Sequence, residues 1–392
     1  MEPDMKKWIM ILLPLLVAGC HTMSGSTDNI VNSSLEVACQ QMGTMLDAAQ
    51  QREQLPRSVS DDNIRWVGSG DWTSGFFPGC LWYLYEATGE ERWLEGARTC
   101  TAWLEKEQFN TGSHDVGFMM NCSYGNGCRL TQDPEYKKIL LQSAESLSSR
   151  FNPKVGCIRS WDFFEDRWAY PVIIDNMMNL ELLFWAAQAG GDRKFYDIAV
   201  SHADTTLKNH YREDMSCWHV INYDPQTGEV LNRQTQQGFS DDSAWARGQS
   251  WGLYGFTMCY RYTRDSRYLE QACKIADFLL NHPNLPEDGI PYWDYNAPNI
   301  PDEPRDASAA AIMCSALYEL SGYLGGKGNQ YRRAADHILA GLASPSYLAG
   351  PGTNHNFLLM HSVGSRPENH EVDVPLIYAD YYFLEALLRS RK

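Results

Sequence analysis

The chain is short of positive charge, of strand-forming runs and of long apolar stretches. Its 33 Lys and Arg stand against 49 Asp and Glu, a formal charge of −16. That balance cannot build the basic face that nucleic acid requires. An anionic ligand would have to be held by a few local Arg, His or Lys side chains, not by the overall field. No apolar run reaches the ~20 residues that cross a bilayer; the nearest, in "MKKWIMILLPLLVAGC", falls short. Eleven cysteines are present, but there is no Cys-x-x-Cys pair and no Cys/His spacing of a zinc site. Neither a metal nor a cofactor is therefore expected. No Pro- or Ser-rich linker interrupts the chain beyond its N-terminal region, which argues for one domain over residues 34–392.

The N-terminus does carry a signal. Lys6 and Lys7 precede the apolar run, and the small residues of "LVAGC" end at Cys20. This is the layout of a secretory signal peptide, and the terminal Cys resembles a bacterial lipobox. The expectation is a signal peptide over residues 1–20, with Cys20 lipidated, and a polar tether, "HTMSGSTDNIVNS", over 21–33. The mature protein would then sit in the bacterial cell envelope, facing the periplasm or the surface, and would touch the membrane only through the anchor. Cys39, Cys80, Cys100, Cys259, Cys273 and Cys314 fall in apolar helical patterns and read as buried thiols. Cys122 and Cys128 flank "SYGNG", and spacing leaves their pairing open.

What the chain has in plenty is aromatics: 13 Trp and 21 Tyr, in a composition that is 44% hydrophobic. Such residues fill helical cores and also stack on the flat C–H faces of sugar rings. Apolar residues return every three or four positions from end to end, predicting about twelve helices. The helices pair, and the second member often follows a similar phrase: "ATGEERWLEGA", "AGGDRKFYDIAVSHA", "YTRDSRYLEQACKIA", "GKGNQYRRAADHI". Repeated hairpins of this kind predict an all-α solenoid or closed ring. The long Trp-, His- and Asp-rich loops, and the lack of a strict period, favour a closed (α/α)6 barrel over an open array. Strand signals are confined to "SCWHVINYD" and "GEVLNR", a hairpin on the turn "DPQTG".

Two acids stand at the head of apolar helices: Asp115 before "VGFMM" and Asp175 before "NMMN". Each reads either as an N-cap or as a carboxyl at the edge of an aromatic pocket, where lost solvation raises its pKa and lets it carry a proton near neutrality. The stretch "SDDSAWARGQSWGLYG" sets Arg247 between Trp245 and Trp251, a platform for a sugar and its carboxylate. In it, Asp241 or Asp242 is expected to cap a helix starting near Ser243.

In these phrases, with "SHDVGFMM", "HADTTLKNH", "YDPQTGEV" and "EVDVPLIYADYYFLEAL", the chain resembles glycoside hydrolase family 88, the unsaturated glucuronyl hydrolases. The related rhamnogalacturonyl hydrolases of family 105 are the alternative, and an inert glycan-binding lipoprotein a second one. The resemblance implies a monomeric (α/α)6 barrel that needs no cofactor. Its substrate would be an oligosaccharide ending in a 4,5-unsaturated uronic acid. It implies hydration of the C4=C5 vinyl ether, with Asp175 as general acid/base and Asp115 as supporting carboxylate. Trp72, His114, Trp161, His219, Gln237, Trp245, Arg247, Trp251 and Tyr378 would contact substrate, Arg247 at the uronate carboxylate. Gln236 departs from the family's His at a position near the aglycone. The Ser-x-Ser-x-Lys sulfate signature of some members is not found, and Ser362, Ser365 and Arg366 of "HSVGSRPENH" are the candidates to replace it.

Overall fold

Inner and outer helices alternate around a closed ring, the (α/α)6 toroid that the paired phrases predict. The computed structural model describes residues 22–392, so Cys20 and the expected signal peptide lie outside the described residues. The chain enters along the outer helix α1 (Thr22–Arg52). Inner–outer pairs follow: α2 (Phe76–Thr88) with α3 (Glu91–Ala102); then a broken inner element of α4 (Val116–Met120), one π-turn and α5 (Asn126–Thr131), with α6 (Pro134–Ser148). Next come α7 (Asn176–Gln188) with α8 (Arg193–Asn209), α9 (Ala246–Thr263) with α10 (Ser266–Leu280), and α11 (Ala307–Gly322) with α12 (Asn329–Leu342). The inner helix α13 (Ile377–Ser390) closes the ring between α11 and α2.

Sequence sorts the two rings. Inner helices are buried all round: every residue of α9 from Ala246 to Cys259, and of α11 from Ala307 to Tyr318, is buried. Outer helices are amphipathic and bury one stripe. Three of them open on an Asp that caps the helix: Asp133, Asp192 and Asp265 accept from the N–H of Glu135, Lys194 and Arg267. The expected tether is instead the opening of α1. Residues 22–33 contain no proline, and Val31, Leu35 and Ala38 form a buried stripe at helical spacing, so the helix propagates back through the polar residues.

Loops at the two ends differ. Base turns such as Gly89–Glu90 and Gly190–Asp192 are short. At the other end, the mouth, long loops carry all the strands. They are β1 (Leu55–Ser60) with β2 (Asn63–Val67), β3 (Phe151–Asn152) with β4 (Cys157–Ile158), β5 (Pro171–Ile173), β6 (Val220–Tyr223) with β7 (Val230–Gln234), and β8 (Ser362–Ser365) with β9 (His370–Val374). The predicted hairpin is β6–β7, with Val220 opposite Gln234, and β5 adds a third antiparallel strand. The helix expected near Ser243 starts at Ala246. Residues 243–245 are held out of the helix by Asp294 and Asn296, which accept from Ser243 Oγ and Ala244 N. Asp241 accepts from Thr235 N and caps nothing. The ten described cysteines are all free, Cys122 and Cys128 included.

Candidate functional site

Close helix contacts set the positions of the two acids. A Cβ on Gly117 would lie 2.6 Å from Asn179 Cα, and one on Gly255 would lie 2.5 Å from Met177 Cβ. Only glycine therefore lets α4 and α9 press onto α7 this closely. Asn179 uses the contact: its Oδ1 accepts from Phe118 N at 2.7 Å, and its Nδ2 faces His114 Nδ1 at 3.4 Å. Asp115, ahead of α4, and Asp175, ahead of α7, are thereby brought to one end of the lumen.

Asp175 occupies the N-cap position of α7 but caps nothing. Its backbone is already helical, at φ −56° and ψ −28°, and its side chain makes no capping hydrogen bond. Oδ2 is buried and has no hydrogen-bond partner, while the side chain keeps 14% of its surface toward the mouth. Burial pushes the carboxyl up from 3.8 to about 7; Arg247 opposes the shift and Asp115 adds to it. The Trp251 indole N–H faces the same carboxyl without a hydrogen bond of full geometry, and it too opposes the shift.

His219 faces the same oxygen. Its Nδ1 accepts from Gln236 N and Gln237 N, at 3.1 and 3.2 Å. Two backbone donors at Nδ1 leave the proton on Nε2, which lies 3.8 Å from Asp175 Oδ2 and makes no hydrogen bond. Burial holds the imidazole far below its ordinary pKa, so it is a neutral donor. The ring packs on Trp245 at 4.5 Å. An unpaired carboxyl oxygen and an unpaired N–H thus stand face to face, 3.8 Å apart.

Asp115 is fixed from both sides. Ser113 Oγ donates to its Oδ2 at 2.7 Å, and His114 Nε2 stands 3.3 Å from Oδ1. Burial lowers the His114 pKa, with Asp115 opposing the shift. Like Asp175, Asp115 makes no capping bond. It keeps 21% of its side-chain surface.

Aromatics wall the space. Trp72 packs 5.0 Å from Tyr378 and 5.8 Å from Phe118. Trp161 stacks on the exposed Phe163 at 4.9 Å and 12°, and its buried indole N–H is unpaired. Phe118, Trp251 and Tyr382 touch in sequence and form a floor across the lumen. Trp245 and Trp251, six residues apart on the chain, wall different parts: one lies against His219, the other in the floor. Arg247 sits over Trp245 and Tyr378 at 4.6 and 5.4 Å. One edge of its guanidinium is occupied: Nη1 donates to Val363 O and pairs with Asp306 at 3.2 Å, and Nη2 donates to Gly364 O at 2.7 Å. Gln237 Nε2 binds the same Gly364 carbonyl at 2.9 Å.

Sequence reading missed several contributors. Asp306 anchors Arg247 while capping α11 through Ser308 N and Ala309 N; "RDASAAA" shows only a cap. The β8–β9 hairpin supplies the carbonyls that hold Arg247 and Gln237. Ser362 and Ser365, on β8, have buried hydroxyls without partners. At the rim, Gln236 bridges Arg167 and Glu368, at 2.9 and 2.6 Å.

Glycosyl Hydrolase Family 88 matches this chain over residues 42–281. The unsaturated glucuronyl hydrolase of Formosa agariphila is 50% identical over 342 residues, 86% of this chain and 84% of the relative. The unsaturated chondroitin disaccharide hydrolase of Streptococcus pneumoniae is 33% identical over 93% of each chain. The crystal structure of an unsaturated glucuronyl hydrolase specific for heparin is 49% identical and matches with a TM-score of 0.89, over 93% of this chain and 97% of that one.

Proposed function

The chain belongs to glycoside hydrolase family 88, and we propose that Asp175 is the acid with which it removes a 4,5-unsaturated uronic acid from the non-reducing end of lyase-generated glycosaminoglycan oligosaccharides. It is a glycoside hydrolase of the unsaturated glucuronyl hydrolase type. The observation that carries the assignment is the unused carboxyl: Asp175 heads α7, caps nothing and is pushed up to about 7.

Protonated Asp175 gives its hydrogen to C4 of the C4=C5 vinyl ether, and positive charge develops at C5 and the ring oxygen. Water adds at C5, and the Asp175 carboxylate accepts its proton. The hemiketal then opens, leaving a ketone at C5 and a hemiacetal at C1, whose collapse expels the aglycone. Protonating carbon is slow, so the acid has to be held at near-attack distance. Asp115 supports the cation with negative charge and raises the proton affinity of Asp175. His219 offers Nε2–H to the water or a substrate oxygen, and the tryptophans pack against the sugar.

The test is loss of the ultraviolet absorbance of lyase-generated disaccharides. The panel covers heparin, chondroitin, hyaluronan and rhamnogalacturonan products. Similarity to the heparin-specific enzyme puts a heparin disaccharide first. Asp175→Asn should lower kcat by about 10³ or more while the far-ultraviolet circular dichroism is unchanged. Normal turnover by this variant would remove Asp175 from the role; saturable binding without absorbance loss in the wild type would favour the inert glycan-binding reading. We also propose that the mature protein is monomeric and held in the cell envelope by lipid at Cys20, which metabolic labelling and a Cys20→Ser variant test.

A further inference from the structure

We infer that Ser160 is a positioning residue: it ties together the two backbone segments that lead into Asp115 and Asp175, and so sets the separation of the two carboxyls. The inference rests on the reading of Asp175 as the acid and adds what holds that acid in place.

β5 is the edge strand of the β5–β6–β7 sheet. Bonds to the β6 side run through Tyr170 and Ile174: Tyr223 N donates to Tyr170 O, and Ile174 N donates to His219 O. Alternation then turns Pro171 O and Ile173 N toward the open edge, where buried backbone groups still need partners. Ser160 supplies both. Its N–H donates to Pro171 O at 2.9 Å, and its Oγ accepts from Ile173 N at 3.0 Å. In a neighbouring strand the second partner would be a carbonyl. Here the hydroxyl takes that place, which leaves the Ser160 carbonyl to accept from His114 N at 3.1 Å. One fully buried residue thus bonds the segment ending in Asp115 to the segment ending in Asp175. Alanine would keep the N–H and the carbonyl but leave Ile173 N without its acceptor.

The chain before Ser160 is fixed as well. Ile158 N donates to His202 Nδ1 of α8 at 3.0 Å, and Ile158 O accepts from Asn176 Nδ2 at 2.8 Å. Asn176 is the first residue of α7, directly after Asp175. Residues 158–160 therefore form a strut between the head of α7 and His114. Asn179 clasps α4 to α7 beyond the acids, and the strut joins the chain ahead of them.

Separation matters electrostatically. The groups that face Asp175 are Arg247 of α9, Asp115 ahead of α4, and His219 and Cys217 ahead of β6. Burial keeps His219 and the Cys217 thiol neutral, and does the same for His202 behind the strut and His114 beside Asp115. The repulsion from Asp115 that adds to the effect of burial falls with distance. A loosened Ile173 would also admit water to Asp175. Both changes lower the pH at which the acid form is lost.

The full chain is assayed on a lyase-generated disaccharide from about pH 5 to 9. Ser160→Ala should lower kcat by about tenfold or more. KM should stay within about threefold, because Arg247, Gln237 and Trp245 are held by other elements. The pH at which kcat/KM falls by half should drop by about 0.5 or more. Ser160→Cys, whose thiol accepts weakly, should lie between the two and carries the same test if the alanine variant does not fold. Arg261→Met is the control, because Arg261 pairs with Glu181 and Glu319 at the base end of α9; its Tm should fall with the pH profile unmoved. Wild-type kcat and pH profile in the Ser160 variants, with only Tm lowered, would make Ser160 a structural residue and overturn the proposal. An equal shift of the profile in Arg261→Met would trace the effect to lost stability and overturn it too. Normal turnover by Asp175→Asn fails the acid reading instead, whatever the Ser160 variants do.

Discussion

At the scale of single residues, Asp175 couples activity to stability. Its folded-state pKa is raised from 3.8 to about 7 by burial, so the native state holds its proton more tightly than the unfolded chain does. That contribution is complete below pH 3.8 and is lost as pH rises through about 7. Asparagine copies the neutral form at every pH. Asp175→Asn should therefore match the wild type near pH 4 and exceed it at pH 8 by about 2–4 kcal/mol, read from urea unfolding at both values. The same proton sets the rate. Catalysis by the acid form requires kcat/KM to fall as pH rises through about 7, and a profile flat from pH 5 to 9 would contradict the proton-donor role. The sequence alone could not separate this aspartate from Asp133, Asp192 or Asp265. All four precede helices, and only the backbone angles and the absent capping bond distinguish Asp175 from a cap.

Among elements, the β8–β9 hairpin decides whether the site is assembled. Its Val363 and Gly364 carbonyls hold Arg247 and Gln237 on one side. On the other, Glu371 of β9 accepts from Arg57, Ser58 and Arg65. Burial alone would raise the Glu371 pKa, but the Arg57 hydrogen bonds and charge pull it below the usual carboxylate range. Glu371→Ala would leave the largely buried Arg57 with only Asp71 and should cost about 3 kcal/mol or more. KM should rise with it, because Arg247 and Gln237 lose their clamp; calorimetry and initial rates read both effects. An unaltered KM at a lowered Tm would confine the hairpin to a structural role. None of this hairpin was legible beforehand. Its residues "SVGS" and "HEVDV" are too short and too polar to read as strands, whereas β6–β7 was flagged by alternating apolar residues around a clear turn. The helices were legible throughout, because outer ones show one apolar stripe and inner ones are apolar on every side.

For the whole molecule, the ring was readable from its repeated base turns, but its division into two compartments was not, since that depends on residues far apart in sequence. Phe118, Trp251 and Tyr382 close the lumen between the acids and a base well of about 890 Å³. In the well, Glu181, Arg261, Glu319, Arg389 and Glu385 form one chain of largely buried ion pairs tying α7, α9, α11 and α13 together. Burial raises Glu319, but Arg261 and Arg389 pull it further the other way, so it stays ionised. Removing one cation leaves carboxylates without a partner in a low-dielectric space, which costs more than the intact network contributes. Arg261→Met should cost about 3 kcal/mol and lower Tm by several degrees. The floor stands between the well and the acids, and α9 rises about 21 Å from Arg261 to Arg247. So kcat/KM at temperatures well below Tm should stay within about twofold of the wild type. A tenfold loss of activity in a variant that still melts cooperatively would mean that the floor transmits strain, and that the two compartments work as one.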